Sequence, residues 1–384
     1  MVKRLIFIIL KDYYHIILLM MNTSLSSKDT SLISVLQEHF RGELNLARVK
    51  LIALFITALC KIKTINYDRL ASAFDTKVDK SSSYRRIQRF MKGFKFPMRI
   101  VSSLIFSLLP CRDDLVLVLD RTNWKFGRKN INILMLGISY KNVAFPLMFK
   151  MLDKRGNSDM QERIDLIKQY GEWFGMHTID CLLADREFVG DKWLQFLNDY
   201  GIRYFIRIRN NFKVFSYQKQ EFINACWLFN HLKVGEFYHY PRIVELHGQR
   251  CYLSGSKAIG KDGKPELLMI VSFNKPEQGM IYYKQRWQIE TLFRGLKSSG
   301  FNIEDTHVAD LERLEKLFSL VMIAFVWCYK IGDYIDENVK KIDIKKHGRR
   351  AVSVFKCGLD YLSKVLLTGY NSLDYSVFNF LSCT

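Results

Sequence analysis

The chain has 384 residues, of which 49% are hydrophobic and 14% aromatic, so it is long enough for two or three folded domains and too apolar to be disordered. Its formal charge of +20 points to a polyanionic partner, with nucleic acid first and an anionic membrane surface second. Of its 8 cysteines the closest two are 25 residues apart, which excludes a CxxC zinc or redox motif and indicates a reducing, cytosolic compartment.

The first 22 residues carry two apolar runs that charged residues interrupt. Neither run is long enough to span a bilayer, and no clear small-residue cleavage site follows, so we expect neither a membrane anchor nor a signal peptide. We expect residues 1–22 to be a dispensable or mis-assigned extension, with a translation start nearer Met20 or Met21 as the alternative to Met1.

Residues 23–110 are predicted to form a helical DNA-binding domain. Residues 1–110 hold 18 Lys and Arg against 7 Asp and Glu, which is more than half of the positive excess in under a third of the chain. Two short helices, Asn66–Phe74 and Ser82–Phe94, are separated by DTKVDKS, as in a helix-turn-helix with a long turn, and Ser81–Ser83 are predicted to cap the second. That second helix is basic, and we expect four of its cations to contact DNA: Arg85, Arg86, Arg89 and Lys92. An ordinary solvent-facing helix is the alternative.

From residue 115 the pattern becomes that of strands alternating with helices. The predicted elements are strands Leu115–Leu119, Ile131–Tyr140 and Val143–Phe149, a helix at about 159–174, strand Thr178–Ala184, a helix at about 190–200 and strand Tyr204–Arg209. The order βββαβαβ predicts an α/β domain whose mixed sheet carries helices on its faces.

The C-terminal half is predicted to begin with a β-rich insertion at about 210–280, because aromatic and polar positions alternate there. Helix is predicted to return over 309–384. A basic patch in that region comprises Lys340, Lys341, Lys345, Lys346, Arg349 and Arg350.

Two aspartates, Asp120 and Asp185, each follow a strongly apolar predicted strand. Sites in open α/β sheets form at the carboxyl ends of strands, although a single aspartate there is more often a turn or cap residue. A third acid, Glu290, lies in the predicted helix Tyr283–Lys297, which has the sequence YKQRWQIETLFRGLK.

In that helix Tyr283, Arg286, Glu290 and Lys297 stand at offsets of 0, 3, 7 and 14 residues, which share one face at 3.6 residues per turn. Arg294 joins the same face, while Ile289, Leu292, Phe293 and Leu296 form an apolar stripe. A solvated face with weak ion pairs is the ordinary alternative.

Three carboxylates, Asp120, Asp185 and Glu290, suit a hard divalent cation that is shared with phosphate, and the cations beside Glu290 would then position a DNA backbone. Other acids compete for the same role: Glu187 is two residues from Asp185, and Glu304 and Asp305 follow the helix. Composition and spacing do not choose among these acids.

Four segments resemble the DDE transposases of bacterial insertion sequences: DRTNWKFG (120–127), LLADREF (182–188), YKQRWQIETLFRGLKSSGF (283–301) and NIEDTH (302–307). They are similar to the group with the Tyr-x2-Arg-x3-Glu-x6-Lys (YREK) signature. Tyr283, Arg286, Glu290 and Lys297 meet that signature without departure. The resemblance implies a ribonuclease-H-like catalytic domain over 111–335, with the β insertion between the second aspartate and the glutamate, and a helical basic region over 336–384.

The resemblance also implies a mechanism, which is cut-and-paste transposition. Asp120, Asp185 and Glu290 would bind two Mg²⁺ or Mn²⁺ ions, water would nick the transposon end, and the freed 3′-hydroxyl would attack the opposite strand or target DNA. Tyr283 and Arg286 would hold the phosphate of a flipped base, and Lys297 would contact DNA. Trp227 is one candidate for the aromatic platform that flipping needs.

The partners that the resemblance implies are double-stranded DNA, as terminal inverted repeats and target, and a second copy of the chain in a DNA-induced homodimer. We expect a cytoplasmic, nucleoid-associated bacterial protein. Two alternatives are a catalytically inactive, transposase-derived repressor and a ribonuclease-H-like nuclease without strand transfer. The intact acids oppose the first, and the basic N-terminal helices oppose the second.

Overall fold

The computed structural model describes residues 32–260, 262–346 and 348–382, so the predicted extension 1–22 lies outside the described residues. The chain divides into two compact units. The first comprises the described residues up to Leu104, with Ser298–Thr306 and the residues from Lys316 onward; the second comprises Ile105–Lys297 and His307–Glu315. In the part of the chain that is described, no helix combines the length and hydropathy that crossing a bilayer requires.

The helices, in chain order, are residues 32–39 (α1), Leu46–Ile62 (α2), Tyr67–Ser72 (α3), Lys80–Gly93 (α4), Met98–Ser107 (α5), Met160–Phe174 (α6), Asp191–Asp199 (α7), Gly279–Gln285 (α8), Gln288–Leu296 (α9), Leu311–Tyr334 (α10) and Val354–Thr368 (α11). The strands are Leu115–Phe126 (β1), Lys129–Tyr140 (β2), Val143–Met151 (β3), Ile179–Ala184 (β4), Tyr204–Ile208 (β5), Lys213–Ser216 (β6), Glu221–Asn224 (β7), Phe237–His239 (β8), Val244–Leu246 (β9), Gln249–Ile259 (β10) and Pro265–Ser272 (β11).

The second unit is built on one mixed sheet with the order β3-β2-β1-β4-β5-β11-β10-β9-β6-β7, and β8 pairs with β10. β4 runs parallel to both β1 and β5, whereas the other pairs are antiparallel. The predicted mixed α/β sheet and the order βββαβαβ are confirmed by β1-β2-β3-α6-β4-α7-β5. The β-rich segment follows as predicted, and its strands extend the same sheet.

Local sequence signals explain two of these elements. Lys141 and Asn142 both adopt positive φ, of 41° and 72°, which closes the β2–β3 hairpin at the predicted two-residue turn. The helix α6 begins with a capping box, in which Asp159 accepts from the N–H of Glu162 and the Glu162 carboxylate accepts from the N–H of Asp159.

The first unit is helical and its core is densely apolar. The buried face of α2 includes Ile52, Phe55 and Leu59. The helices α10 and α11 approach each other at Gly332 and Gly358, where an added Cβ would collide with the backbone of the other helix.

Three predicted boundaries were wrong. β1 does not end at Asp120 but continues to Phe126, because β2 pairs with it from Leu117 to Phe126. The helix α4 begins at Lys80, before the serines that were predicted to cap it, and Asp79 precedes it. The basic patch that starts at Lys340 lies on a largely irregular segment between α10 and α11, although helix was predicted there.

Candidate active site

The two aspartates lie side by side on adjacent parallel strands. In the β1–β4 ladder Leu119 pairs with Ala184, and Asp120 and Asp185 are the next residue on each chain segment. Neighbouring strands are about 4.8 Å apart, and side chains alternate between faces, so this register brings the two carboxylates to one position on one face. Each carboxylate accepts a hydrogen bond from the next backbone N–H, at 2.7 Å for Asp120 and 2.8 Å for Asp185.

The third acid, Glu290, is held next to Asp120 by an arginine. α9 packs on β1, β2 and β3 and buries Ile289 and Leu292. Arg286 donates from Nη2 to Glu290 Oε1 at 2.7 Å and from Nη1 to Asp120 Oδ2 at 3.1 Å. Arg286 is only 6% exposed. One buried guanidinium therefore joins two of the three predicted carboxylates.

Tyr283 joins the third carboxylate to the same group. Its hydroxyl donates to Asp185 Oδ1 at 3.2 Å, and the Arg286 guanidinium lies 5.7 Å from its ring centroid. Burial raises the pKa of Tyr283 above its ordinary value, so the phenol remains a hydrogen-bond donor at neutral pH. Two of the residues that were predicted to surround the acids thus contact all three of them: Arg286 contacts Asp120 and Glu290, and Tyr283 contacts Asp185.

The Asp120 carboxyl holds its proton to a higher pH than an ordinary aspartate, because its pKa is raised. Burial raises its pKa from 3.8 to about 6, and the neighbouring carboxylates of Asp185 and Glu187 add to the rise. The N–H of Arg121 and the guanidinium of Arg286 oppose it without cancelling it. A further cation that binds beside such a buried carboxyl group stabilises its charged form.

The helix that was predicted over Tyr283–Lys297 is in fact two helices. α8 ends and α9 begins at Arg286 and Trp287, where the N–H of Arg286 bonds to the carbonyl of Tyr283 in a tight turn. The predicted unbroken helix is therefore wrong. Arg286 stands at the junction and still contacts Glu290 on α9 and Asp120 on β1.

The remaining predicted cations of this segment lie at its end. Lys297 caps α9, and its Nζ donates to the carbonyl of Asn123 at 3.2 Å and lies 5.7 Å from the ring centroid of Trp124. Arg294 is exposed on α9.

The competing acids are placed differently from the three predicted ligands. Glu187 accepts two hydrogen bonds from Arg121, at 3.1 and 3.3 Å. Glu304 and Asp305 belong to the first unit, whereas the gathered acids belong to the second. Sequence reasoning missed Arg121, for which the one available signal was its position directly after Asp120.

The donor set fits a divalent ion that is bound jointly with a phosphate. Among the residues that the structure describes, no three His, Cys, Asp or Glu side chains are gathered as a metal-binding group. Mg²⁺, however, is commonly held by one or two carboxylates, while waters and substrate phosphates complete its coordination. Asp120, Asp185 and Glu290 offer oxygen donors of this kind.

The predicted DNA-contacting helix α4, in the first unit, presents cations on one side and apolar residues on the other. Of the four cations predicted to contact DNA, Arg85, Arg89 and Lys92 are exposed and Arg86 is half-buried. Ile87, Phe90 and Met91 are buried. Lys316 donates to the carbonyls of Met91 and Phe94 and so fixes the end of this helix.

Two exposed tryptophans are available to a flat ligand such as a nucleic-acid base. Trp227, the predicted platform, lies in a short 3₁₀ helix of the β-rich segment and is 56% exposed. Trp287, which sequence reasoning missed, is 54% exposed, and its ring centroid lies 5.6 Å from the guanidinium of Arg286.

Comparison with known proteins gave a family-model match and similar solved structures. A family model described as a transposase DDE domain matches residues 112–327, more than half of the chain. A cryo-EM structure of a piggyBac transposase synaptic complex with hairpin DNA is similar with a TM-score of 0.44 and 15% sequence identity, over 89% of this chain and 78% of that one. No curated protein matches the chain.

Proposed function

The chain belongs to the transposase DDE domain family, and we propose that it is a cut-and-paste DNA transposase of a bacterial insertion sequence, in the group with the YREK signature. It would cleave DNA at transposon ends and transfer the freed 3′-hydroxyl to a target. The observation that carries this proposal is the register of Asp120 beside Asp185, with Arg286 joining Asp120 to Glu290.

The catalytic domain is proposed to be ribonuclease-H-like and to span 111–335, with the β insertion at about 210–280. The order β3-β2-β1-β4-β5, in which β1 to β3 are antiparallel and β4 runs parallel to β1, supports this assignment. Residues 23–110 would form the DNA-binding domain and residues 336–384 the basic C-terminal region.

Asp120, Asp185 and Glu290 would hold Mg²⁺ or Mn²⁺, two ions per site. Such ions, when bound, activate the attacking oxygen and stabilise the leaving oxygen of a phosphoryl transfer. The acids contribute their placement: two are fixed by the sheet register, and their backbone N–H bonds restrict how each carboxylate can rotate. Glu290 is held by the packing of α9.

Arg286 and Tyr283 would bind the DNA phosphate nearest the cleaved bond. Arg286 presents a planar fork that suits a phosphate, and it would exchange a carboxylate for that phosphate on binding. Tyr283 would orient the same group through its hydroxyl. Lys297 and Arg294 would extend the contact along the backbone, while the cations of α4 would recognise the transposon end.

A DNA-induced homodimer is the proposed assembly, because a cut-and-paste reaction must hold two ends together. A transposase-derived repressor needs only the basic helices. The contacts of Arg286 with Asp120 and Glu290, and of Tyr283 with Asp185, favour the active enzyme over that alternative.

The direct test is nicking of duplex DNA that carries the element's terminal inverted repeats, in Mg²⁺. Asp120→Asn, Asp185→Asn and Glu290→Gln should each abolish nicking and leave binding of the ends measurable. Asp165→Asn is a matched control, because Asp165 is an exposed acid of the same unit that pairs with Lys150. Persistent nicking by any of the three variants would remove that residue from the site.

A further inference from the structure

Arg121 and Glu187 form a half-buried ion pair directly beside the acids. Arg121 donates from Nε and Nη2 to the two carboxylate oxygens of Glu187, at 3.1 and 3.3 Å. Their side chains are 14% and 22% exposed. A two-point bond of this kind fixes the orientation of both partners as well as their distance.

The rest of the Arg121 guanidinium is also engaged. Nη1 donates to Asn132 Oδ1 at 3.0 Å and Nη2 to Asn157 Oδ1 at 3.2 Å. Asn132 is 1% exposed, and its amide donates in turn to the carbonyls of Lys154 and Gly156. Arg121 is therefore locked to β2 and to the segment after β3, so it is a rigid anchor for Glu187.

Glu187 lies in the turn that carries Asp185. The N–H of Phe188 bonds to the carbonyl of Asp185 at 2.9 Å and closes this turn. Phe188 is fully buried, and the Arg163 guanidinium lies 4.9 Å from its ring centroid. The turn is thus held by one backbone bond, one buried ring and the Arg121–Glu187 pair.

We infer that Arg121 and Glu187 are positioning residues, which fix the spacing between the carboxylates of Asp120 and Asp185. Arg121 follows Asp120 on β1, and Glu187 follows Asp185 by two residues, so the pair ties together the two chain segments that carry the acids. Metal and phosphate sites tolerate errors of only a few tenths of an ångström in such spacings. The inference rests on the proposed function, and it assigns Glu187 a role other than that of a metal ligand.

The test is a double-mutant cycle with Arg121→Gln, Glu187→Gln and the double variant. Mn²⁺ affinity is measured by electron paramagnetic resonance on the full chain bound to an end duplex that is already nicked and ends in a 3′-deoxynucleotide, and nicking of the intact duplex is measured separately. We expect each single variant to lose about 10- to 100-fold in Mn²⁺ affinity, as supporting residues of metal sites do, and the double variant to lose no more than either single. The Mn²⁺ affinity of Arg121→Lys should lie between those of the wild type and Arg121→Gln, since lysine keeps the charge and loses the two-point bond.

Structural damage is separated from positioning by two controls. Asp165→Asn, which breaks an exposed pair of the same unit, should leave Mn²⁺ affinity unchanged. The thermal midpoint of each variant is measured without metal. If the loss of Mn²⁺ affinity is proportional to the drop in thermal midpoint across all variants, Asp165→Asn included, the effect is structural damage and the inference is overturned.

Two further outcomes would overturn the inference, and a third would contradict only the proposed function. Abolition of Mn²⁺ binding by Glu187→Gln, with little effect of Arg121→Gln, would make Glu187 a ligand and overturn the inference. If the losses of Mn²⁺ affinity in the two single variants multiply in the double variant, the inference is overturned as well. A wild-type protein that binds Mn²⁺ but does not nick would contradict the proposed function, while a matched loss of affinity in the variants would still support the pair.

Discussion

The guanidinium of Arg286 donates to Asp120 Oδ2 at 3.1 Å, in the position where a metal ligand would need its oxygen free. The same guanidinium holds Glu290 at 2.7 Å. An internal cation therefore pairs with two of the three candidate ligands. A divalent ion and Arg286 would compete for the same oxygens, and a DNA phosphate would relieve that competition by giving Arg286 another anion.

Replacing Arg286 should accordingly change metal and DNA binding in opposite directions. We expect Arg286→Met to tighten Mn²⁺ binding to the DNA-free protein by about tenfold, about 1.4 kcal/mol, because the competing cation is gone. The same variant should bind end DNA more weakly. Calorimetric titration with MnCl₂ measures the first effect and fluorescence anisotropy of labelled DNA the second.

Arg294→Met is the control for that experiment, since Arg294 is an exposed cation of α9, one helical turn after Glu290. It should leave Mn²⁺ affinity unchanged. Weaker Mn²⁺ binding by Arg286→Met than by the wild type would mean that Arg286 supports the site and does not compete with the ion.

Local context made Asp120 and Asp185 candidates, since each follows an apolar run, but only the resemblance chose Asp120, Asp185 and Glu290 over the competing acids. The parallel pairing of β1 with β4 places the two aspartates on adjacent chain segments. The continuation of β1 beyond Asp120 was not predicted, because the alternation shows in the burial of the side chains: Thr122 and Trp124 are buried while Asn123 and Lys125 are exposed.

The break between α8 and α9 could not be predicted. No Gly or Pro interrupts YKQRWQIE, so the local sequence favours one helix. The break follows from packing, since α8 lies on β4, β5, β10 and β11, whereas α9 lies on β1, β2 and β3. The pairing of Glu187 with Arg121 could not be predicted either, because the two residues are 66 positions apart along the chain and meet only in the folded protein.

The free energy of unfolding should depend on pH through the ionisation of Asp120. Burial raises its pKa from 3.8 to about 6, so the folded state binds the proton more tightly than the unfolded chain. Stability then falls as pH rises between these two values, by up to about 3 kcal/mol, and is constant above them. Asp120→Asn lacks this loss, so its stability relative to wild type should increase from pH 4 to pH 6 and level off.

Urea unfolding at pH 4, 5, 6 and 7.5, without divalent ions, measures this difference. Added Mg²⁺ and DNA should reduce it, because they stabilise the charged carboxylate. A difference that is independent of pH would show that the Asp120 carboxyl is as acidic in the folded protein as in the unfolded chain.

Lys297 is expected to be a phosphate contact. Its ammonium is held at the end of α9 by the carbonyl of Asn123 and the ring of Trp124, which presents the charge in the unit that carries the acids. Lys297→Ala should weaken DNA binding and lower the slope of log K against log salt by about one. Lys150→Ala, which removes a cation paired with Asp165, should leave that slope unchanged. Equal slopes for Lys297→Ala and wild type would contradict the contact.

Recognition of the transposon ends is expected to depend on α4. Deleting residues 1–100 would test this poorly, because it removes the buried face of α2 from the core of the first unit. Arg85→Ala combined with Arg89→Ala changes only exposed cations, and Ile87 and Phe90 keep the helix in place.

The double variant should lower affinity for end DNA and reduce the salt slope by about two, because each of the two arginines would neutralise one phosphate in the wild type. Its preference for end DNA over unrelated duplex should fall too if α4 reads bases as well as phosphates. Competition binding at several salt concentrations measures both quantities. Lys356→Ala is the matched control, because it removes a partly exposed cation of the same unit that pairs with Asp360. Unchanged slope and preference in the double variant would place end recognition outside α4.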